Sequence, residues 1–232
     1  MNEQFMRTAM LLGEDAFNSL REKHVAVFGV GGVGSFCAEA LARAGVGSLT
    51  LIDDDTVSVS NINRQLIALH STVGQPKTQV MANRIADINP DCRVYALQLR
   101  YEEQNKAQFF SHKFDYIADC IDSVASKTSL IETAIHYEIP IISAMGTGNK
   151  LNPSKFEITD LSKTSGCPLA RVMRRELKQR GILHHTVLYS TEPAIKPHFQ
   201  TEDKIVPGSV SWVPSCAGLM IAGHIIQNLL NA

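Results

Sequence analysis

The run Gly29-Val-Gly31-Gly32-Val-Gly34 limits the possible folds of this chain more than any other feature. It follows an apolar, β-branched stretch over 24–30 and precedes residues 32–44, whose apolar positions recur at three- and four-residue spacings. A strand that passes through a glycine turn into a helix lets the backbone approach an anion and aims the helix N-terminus at it. Glycines also serve tight strand–helix packing, so the run alone leaves both roles open. Asp53 closes a second apolar run 19 residues beyond Gly34. That is where an acid meets ribose hydroxyls, and the two features together predict a nucleotide site.

The same alternation continues downstream. Strands are expected at 24–30, 48–53, 92–97, 114–119 and 140–144, with helices at 32–44, 77–88, 103–111 and 123–137 between them. Short apolar strands separated by helices indicate a parallel sheet with crossover connections, an α/β, doubly wound, Rossmann-like fold. An N-terminal arm leads into a helix near 14–22, and after Ala144 the pattern loosens. Residues 156–161 and 186–190 read as strands, 169–180 as a basic helix, 217–230 as a buried one, and 193–207 as a mobile loop. At roughly 150 residues per domain, 232 residues suit one large domain with a C-terminal α/β elaboration.

Composition removes several classes. With 44% hydrophobic and 19% charged residues, the chain is neither disordered nor a small stapled scaffold. Cys37, Cys92, Cys120, Cys167 and Cys216 form no C-x-x-C pair, so neither a disulfide framework nor a four-cysteine zinc site is indicated. Cys37 and Cys120 fall in packed elements; Cys167 is expected to be the most exposed. No apolar run is expected to approach the ~18 to 20 residues of a membrane span, and the start lacks a signal-like pattern. These features predict a cytoplasmic protein with no membrane partner. A formal net charge of −1 disfavours polyanion binding through the global field but leaves room for a local basic patch.

A dinucleotide redox enzyme and an ATP-using enzyme share the strand, glycine loop and acid. The following segment separates them. Asp53-Asp-Asp55 leads to Asn61, Arg64 and Gln65, and then to Gly74-Gln-Pro-Lys77. A dinucleotide pyrophosphate, with about two charges, is usually handled by glycine amides and a helix end; a triphosphate calls for added cations. Arg64 can fork onto phosphate oxygens, Lys77 supplies a point charge, and Asp122, after the fourth strand, can hold magnesium or simply cap the next helix.

Taken in order, these residues resemble the ubiquitin-activating-type adenylating superfamily, which includes activators of sulfur-carrier proteins. The resemblance runs from about Phe5 to Ser143 through Arg7, the glycine loop, D-x-D-x-V-x-x-x-N-x-x-R-Q, G-Q-x-K and Asp119-Cys-Ile-Asp122. It implies an ATP-binding adenylating domain over 1–165, with 166–232 as its substrate-side elaboration. It further implies ribose binding by Asp53, magnesium at Asp122, and phosphates surrounded by Asn61, Arg64, Gln65 and Lys77, with Asp55 beside them. Arg7 would enter the ATP site of a second copy, making a homodimer.

The C-terminal third lacks the zinc-binding cysteine pairs common in carrier-protein activators. It resembles instead the tRNA threonylcarbamoyladenosine dehydratase family, through Thr159-Asp-Leu-Ser-Lys163-Thr, Cys167-Pro-Leu-Ala-Arg171-Val-Met-Arg174-Arg175, Tyr189-Ser-Thr-Glu192-Pro and Gly208-Ser-Val-Ser-Trp-Val-Pro214. That resemblance implies tRNA as the substrate and ATP with Mg2+ as the reagents, and it allows a sulfur-transfer protein as partner. Arg171, Arg174, Arg175 and Lys178 recur at three- and four-residue spacing and suit either phosphate contacts or a solvated helix face. His184-His185 is expected in a turn, Trp212 in packing and His224 on an apolar helix. A carrier-protein activator, a nicotinamide oxidoreductase and a nucleotide-binding module without turnover are the alternatives.

Overall fold

The computed structural model describes residues 3–110, 113–199 and 206–231. Its sheet contains β1 (His24–Phe28), β2 (Ser48–Ile52), β3 (Arg93–Leu97), β4 (Tyr116–Asp119), β5 (Ile141–Ala144), β6 (Phe156–Asp160) and β7 (Thr186–Ser190). The spatial order is β3-β2-β1-β4-β5-β7-β6. Every neighbouring pair is parallel except β6 with β7. Among the described residues seven α-helices accompany it: α1 (Met6–Leu12), α2 (Glu14–Leu20), α3 (Gly34–Ala44), α4 (Lys77–Ile88), α5 (Val124–His136), α6 (Pro168–Gln179) and α7 (Trp212–Leu230).

The apolar runs of β1, β2, β4 and β5 carry no hydrophobic–polar alternation because both sheet faces are covered. Along β1, Val25 and Val27 enter a core with Leu41 of α3, Ile85 of α4 and Ile221 of α7. Ala26 and Phe28 enter the opposite core with Ile131 of α5 and Met173 of α6. Successive side chains on a strand point to opposite faces, so one short strand serves two layers. β7 pairs with β5, which joins the C-terminal third to the nucleotide-binding sheet.

Several boundaries differ from expectation. Residues 103–111 were expected as an α-helix, whereas Glu103–Gln108 forms a 3-10 helix; Ser111 lies outside the described residues. The first crossover helix starts at Gly34, two residues later than the pattern suggests, because Gly31 and Gly32 belong to the turn. The final helix begins at Trp212 with Pro214 in its first turn, where the missing N–H costs no helical bond. Its 19 residues are long and apolar enough to cross a membrane by length and composition alone, contrary to the expectation that no run would approach that size. It is a core helix here: a Cβ at Gly218 would lie 2.3 Å from the Val33 carbonyl of the glycine loop. Of the expected mobile loop 193–207, residues 200–205 lie outside the described residues and the rest has no regular structure.

Candidate active site

A cavity of about 730 Å³ opens where β1 meets β4, at the carboxyl ends of the strands. The strand order reverses at this point, leaving a crevice between diverging connections, the usual ligand position in open α/β sheets. Its lining includes Gly29, Gly31, Gly32, Asp53, Asp55, Asn61, Arg64, Gln65, Lys77 and Asp122. These come from four separate sequence segments, so the sheet brings the predicted nucleotide residues to one place.

Two glycines are dictated by backbone geometry. Gly29 has φ +86°, and a Cβ there would lie 2.7 Å from the Cys120 carbonyl; a Cβ at Gly34 would lie 1.8 Å from the Gly29 carbonyl. Gly31 has no such crowding: the nearest atom to an added Cβ is Gln65 Nε2 at 3.7 Å. Gly29 and Gly34 therefore shape the turn, and Gly31 leaves open the path by which an anion reaches the backbone.

Asp53 ties this loop to the second strand. Its Oδ2 accepts from Val30 N at 2.7 Å and its Oδ1 from Asp55 N at 2.9 Å. Burial pushes the Asp53 carboxyl up, opposed by the charge of Lys77 and by these amides. Lys77 is only 5% exposed. Its Nζ stands 2.6 Å from Asp55 Oδ2 and 3.7 Å from Asp53 Oδ1, so an enclosed ammonium is available without an unpaired buried charge. Asn61 Oδ1 accepts from Ser58 N, while Arg64 Nη1 donates to the Ser60 carbonyl and to Asn63 Oδ1. Gln65 Oε1 is buried and has no hydrogen-bond partner among the described residues. An acceptor left in that state beside a glycine loop is suited to a donor on a bound molecule.

Asp122 is exposed at the cavity wall and makes no hydrogen bond or ion pair with a described residue. The following helix is capped by Ser123, whose side chain accepts from Ser126 N. This disposes of the capping role for Asp122 and leaves its carboxylate for a ligand. Arg7 lies apart: it is exposed on α1 and does not line the cavity.

Three expectations about the C-terminal third need correction, for Arg174, Cys167 and His185. Arg174 is not on the outer face with its neighbours, because its Nη1 donates to the Thr164 carbonyl at 2.7 Å and also bonds Thr164 Oγ1. It anchors α6 to the turn before it, whereas Arg171, Arg175 and Lys178 are exposed. Cys167 is buried at 4% exposure against the β5 turn, so it is not the accessible thiol. Burial and the Asp119 charge push Cys120 up to about 12, which keeps it protonated. Cys37 is raised as well, mainly by burial.

The sequence reading missed a buried polar group below the cavity, comprising Asp119, Lys127, Ser143 and His185. His185 was expected in a turn, yet it is buried and its Nε2 lies 2.7 Å from Ser143 Oγ. Burial pushes it down to about 4, so it stays neutral.

A doubly wound sheet with a glycine turn, an acid at the end of the second strand and an enclosed lysine at its switch point defines a nucleotide-binding enzyme fold of the adenylating type. The chain belongs to the ThiF family, whose model matches residues 4–232. It is 45% identical to the tRNA threonylcarbamoyladenosine dehydratase of Bacillus subtilis, covering 99% of this chain and 96% of that protein. Identity to the Escherichia coli enzyme of the same name is 42%, over 84% of this chain and 76% of the relative. The structure of the E. coli dehydratase in complex with ATP superposes with a TM-score of 0.91 at 38% identity, covering 99% of this chain and 94% of that one.

Proposed function

We propose that this protein is an ATP- and magnesium-dependent dehydratase that adenylates the carboxylate of threonylcarbamoyladenosine in tRNA and cyclises it, releasing AMP and pyrophosphate. The observation that carries this reading is the convergence of Gly31, Asp53, Arg64, Lys77 and Asp122 on one cavity, in a chain similar over nearly its whole length to dehydratases of that name. A carboxylate oxygen is a poor leaving group. Attack of that oxygen on the α-phosphorus of ATP expels pyrophosphate and makes a mixed anhydride; the neighbouring carbamoyl group then attacks the carbonyl carbon and AMP departs. The net loss from the nucleoside is one water.

Lys77 and Arg64 stabilise charge on the transferring phosphates, and the glycine turn positions them. Asp122 suits a hard cation, being a carboxylate with no protein partner at the cavity wall. Magnesium held there would supply neutralisation of phosphate charge. The nucleophile of the second step belongs to the substrate, so effective molarity is high and a covalent cysteine is unnecessary. The burial of Cys167 and the raised Cys120 are consistent with that. ATP and tRNA are both cytoplasmic reagents, which fits a cytoplasmic enzyme.

Incubation of the protein with ATP, Mg2+ and tRNA bearing the linear nucleoside should yield a nucleoside lighter by one water in mass spectra of the digested tRNA. If the linear nucleoside persists while a glycine-terminated carrier protein becomes adenylated, the carrier-activation reading replaces this one. ATP binding with neither product would leave a module without turnover.

The tRNA is proposed to meet the exposed side of α6. Replacing Arg171 and Lys178 with Ala should weaken tRNA binding and leave ATP binding unchanged. The slope of log affinity against log salt should fall by roughly 0.7 to 0.9 for each phosphate contact removed. An unchanged slope at matched folded fraction would assign these residues to a solvated face. Arg175 is a weaker choice for that test, since it already pairs with Glu176 at 2.8 Å.

A further inference from the structure

The Asp119–Lys127 pair takes no part in the chemistry above, yet it is fully enclosed: Lys127 Nζ lies 2.7 Å from Asp119 Oδ2, and both side chains are 0% exposed. Ser143 Oγ donates to the same Oδ2 at 2.5 Å. The serine has a single proton and gives it to the carboxylate, so at 2.7 Å the His185 Nε2–H donates to the serine oxygen. Asp119 Oδ1 accepts from Ile121 N at 3.2 Å, and Lys127 Nζ also reaches the Asp119 carbonyl at 3.4 Å.

A buried ion pair is a poor source of stability, because apolar residues of similar volume often do as well or better. Its location suggests another use. Asp119 and Ser143 are register partners at the ends of β4 and β5. The residues just beyond them, 120–123 and 144–148, line the cavity. Lys127 comes from the first turns of α5, which begins immediately after Asp122 and its capping Ser123. One ammonium thus joins the end of a strand to the helix that follows it, with Asp122 in the short connection between them.

We propose that Lys127 and Asp119, braced by Ser143 and His185, are positioning residues that hold the β4–α5 connection so that the Asp122 carboxylate is presented to a triphosphate-bound magnesium ion. This rests on the adenylating reading above and adds four residues that do not touch the substrate.

The test is the double variant Asp119→Asn/Lys127→Met. It removes both charges together, so the fold is not asked to bury one alone, and the amide keeps an acceptor for Ile121 N–H. ATP affinity is measured by calorimetry in magnesium and in EDTA. The gain in ATP affinity from magnesium should fall about tenfold, while affinity in EDTA stays within about twofold of wild type. On an Asp122→Ala background the same pair of substitutions should have no further effect, because the residues act through Asp122. Equal losses in magnesium and EDTA, or an effect that persists without the Asp122 carboxylate, would overturn the proposal as a purely structural role. Should the double variant not fold, Ser143→Ala leaves the ion pair in place and should shift the magnesium gain in the same direction; no shift there overturns it equally. A wild-type protein whose ATP affinity ignores magnesium removes this inference. A normal magnesium gain without nucleoside dehydration removes the substrate assignment alone.

Discussion

Asp122→Ala should lower ATP-dependent turnover about 10²- to 10³-fold, and Lys77→Ala should do the same, since in the proposed reaction Lys77 stabilises phosphate charge and Asp122 would hold the metal that does so. Their effects on stability should differ, and that difference makes the pair informative. Asp122 is exposed and bonds no described residue, so its removal should leave the melting temperature unchanged. Lys77 is enclosed and faces both Asp53 and Asp55, so Lys77→Ala leaves two carboxylates facing each other and should lower it. Pyrophosphate exchange and thermal melts on both variants check this. A stable Asp122→Ala protein with full turnover would take Asp122 out of the site, and with it the positioning role of the buried ion pair.

What was legible in the sequence follows from the range of the interactions involved. Gly29 and Gly34 answer to atoms a few residues away and to one neighbouring strand, so their spacing announced the turn. Strand ends had a similar advantage, and Asp53 and Asp122 were placed correctly relative to the sheet. The buried network was not visible in that way because it joins β4, α5, β5 and the segment before β7, which only the sheet order brings together. One signal was available: Lys127 lies three, four and seven residues before Leu130, Ile131 and Ala134, on the buried face of its helix, where a charge requires a partner. Arg174 was misjudged for the complementary reason. Its spacing matches that of Arg171 and Lys178, but a long side chain can turn back to nearby carbonyls, and the Thr164 carbonyl lies within reach. Cys167 was expected to be the most exposed cysteine, whereas its burial depends on the helix that starts there folding onto the sheet.

Arg7→Ala and Lys77→Ala proteins, each nearly inactive alone, should recover activity when mixed under conditions that exchange subunits. Among the described residues, Arg7 neither lines the cavity nor forms an ion pair. The residue sits on a short arm helix whose Met10 and Leu11 are 73% and 89% exposed, an apolar face of the kind a second copy would cover. In a twofold dimer each site would combine Lys77 of one protomer with Arg7 of the other. A mixed dimer then has one site lacking both residues and one site with both. Equal mixing makes half the dimers mixed, so activity should rise to about a quarter of wild type. Subunit exchange is followed separately with tagged protomers, so that failure to mix is not mistaken for failure to complement. Full exchange with no recovery would mean that Arg7 serves its own chain or none.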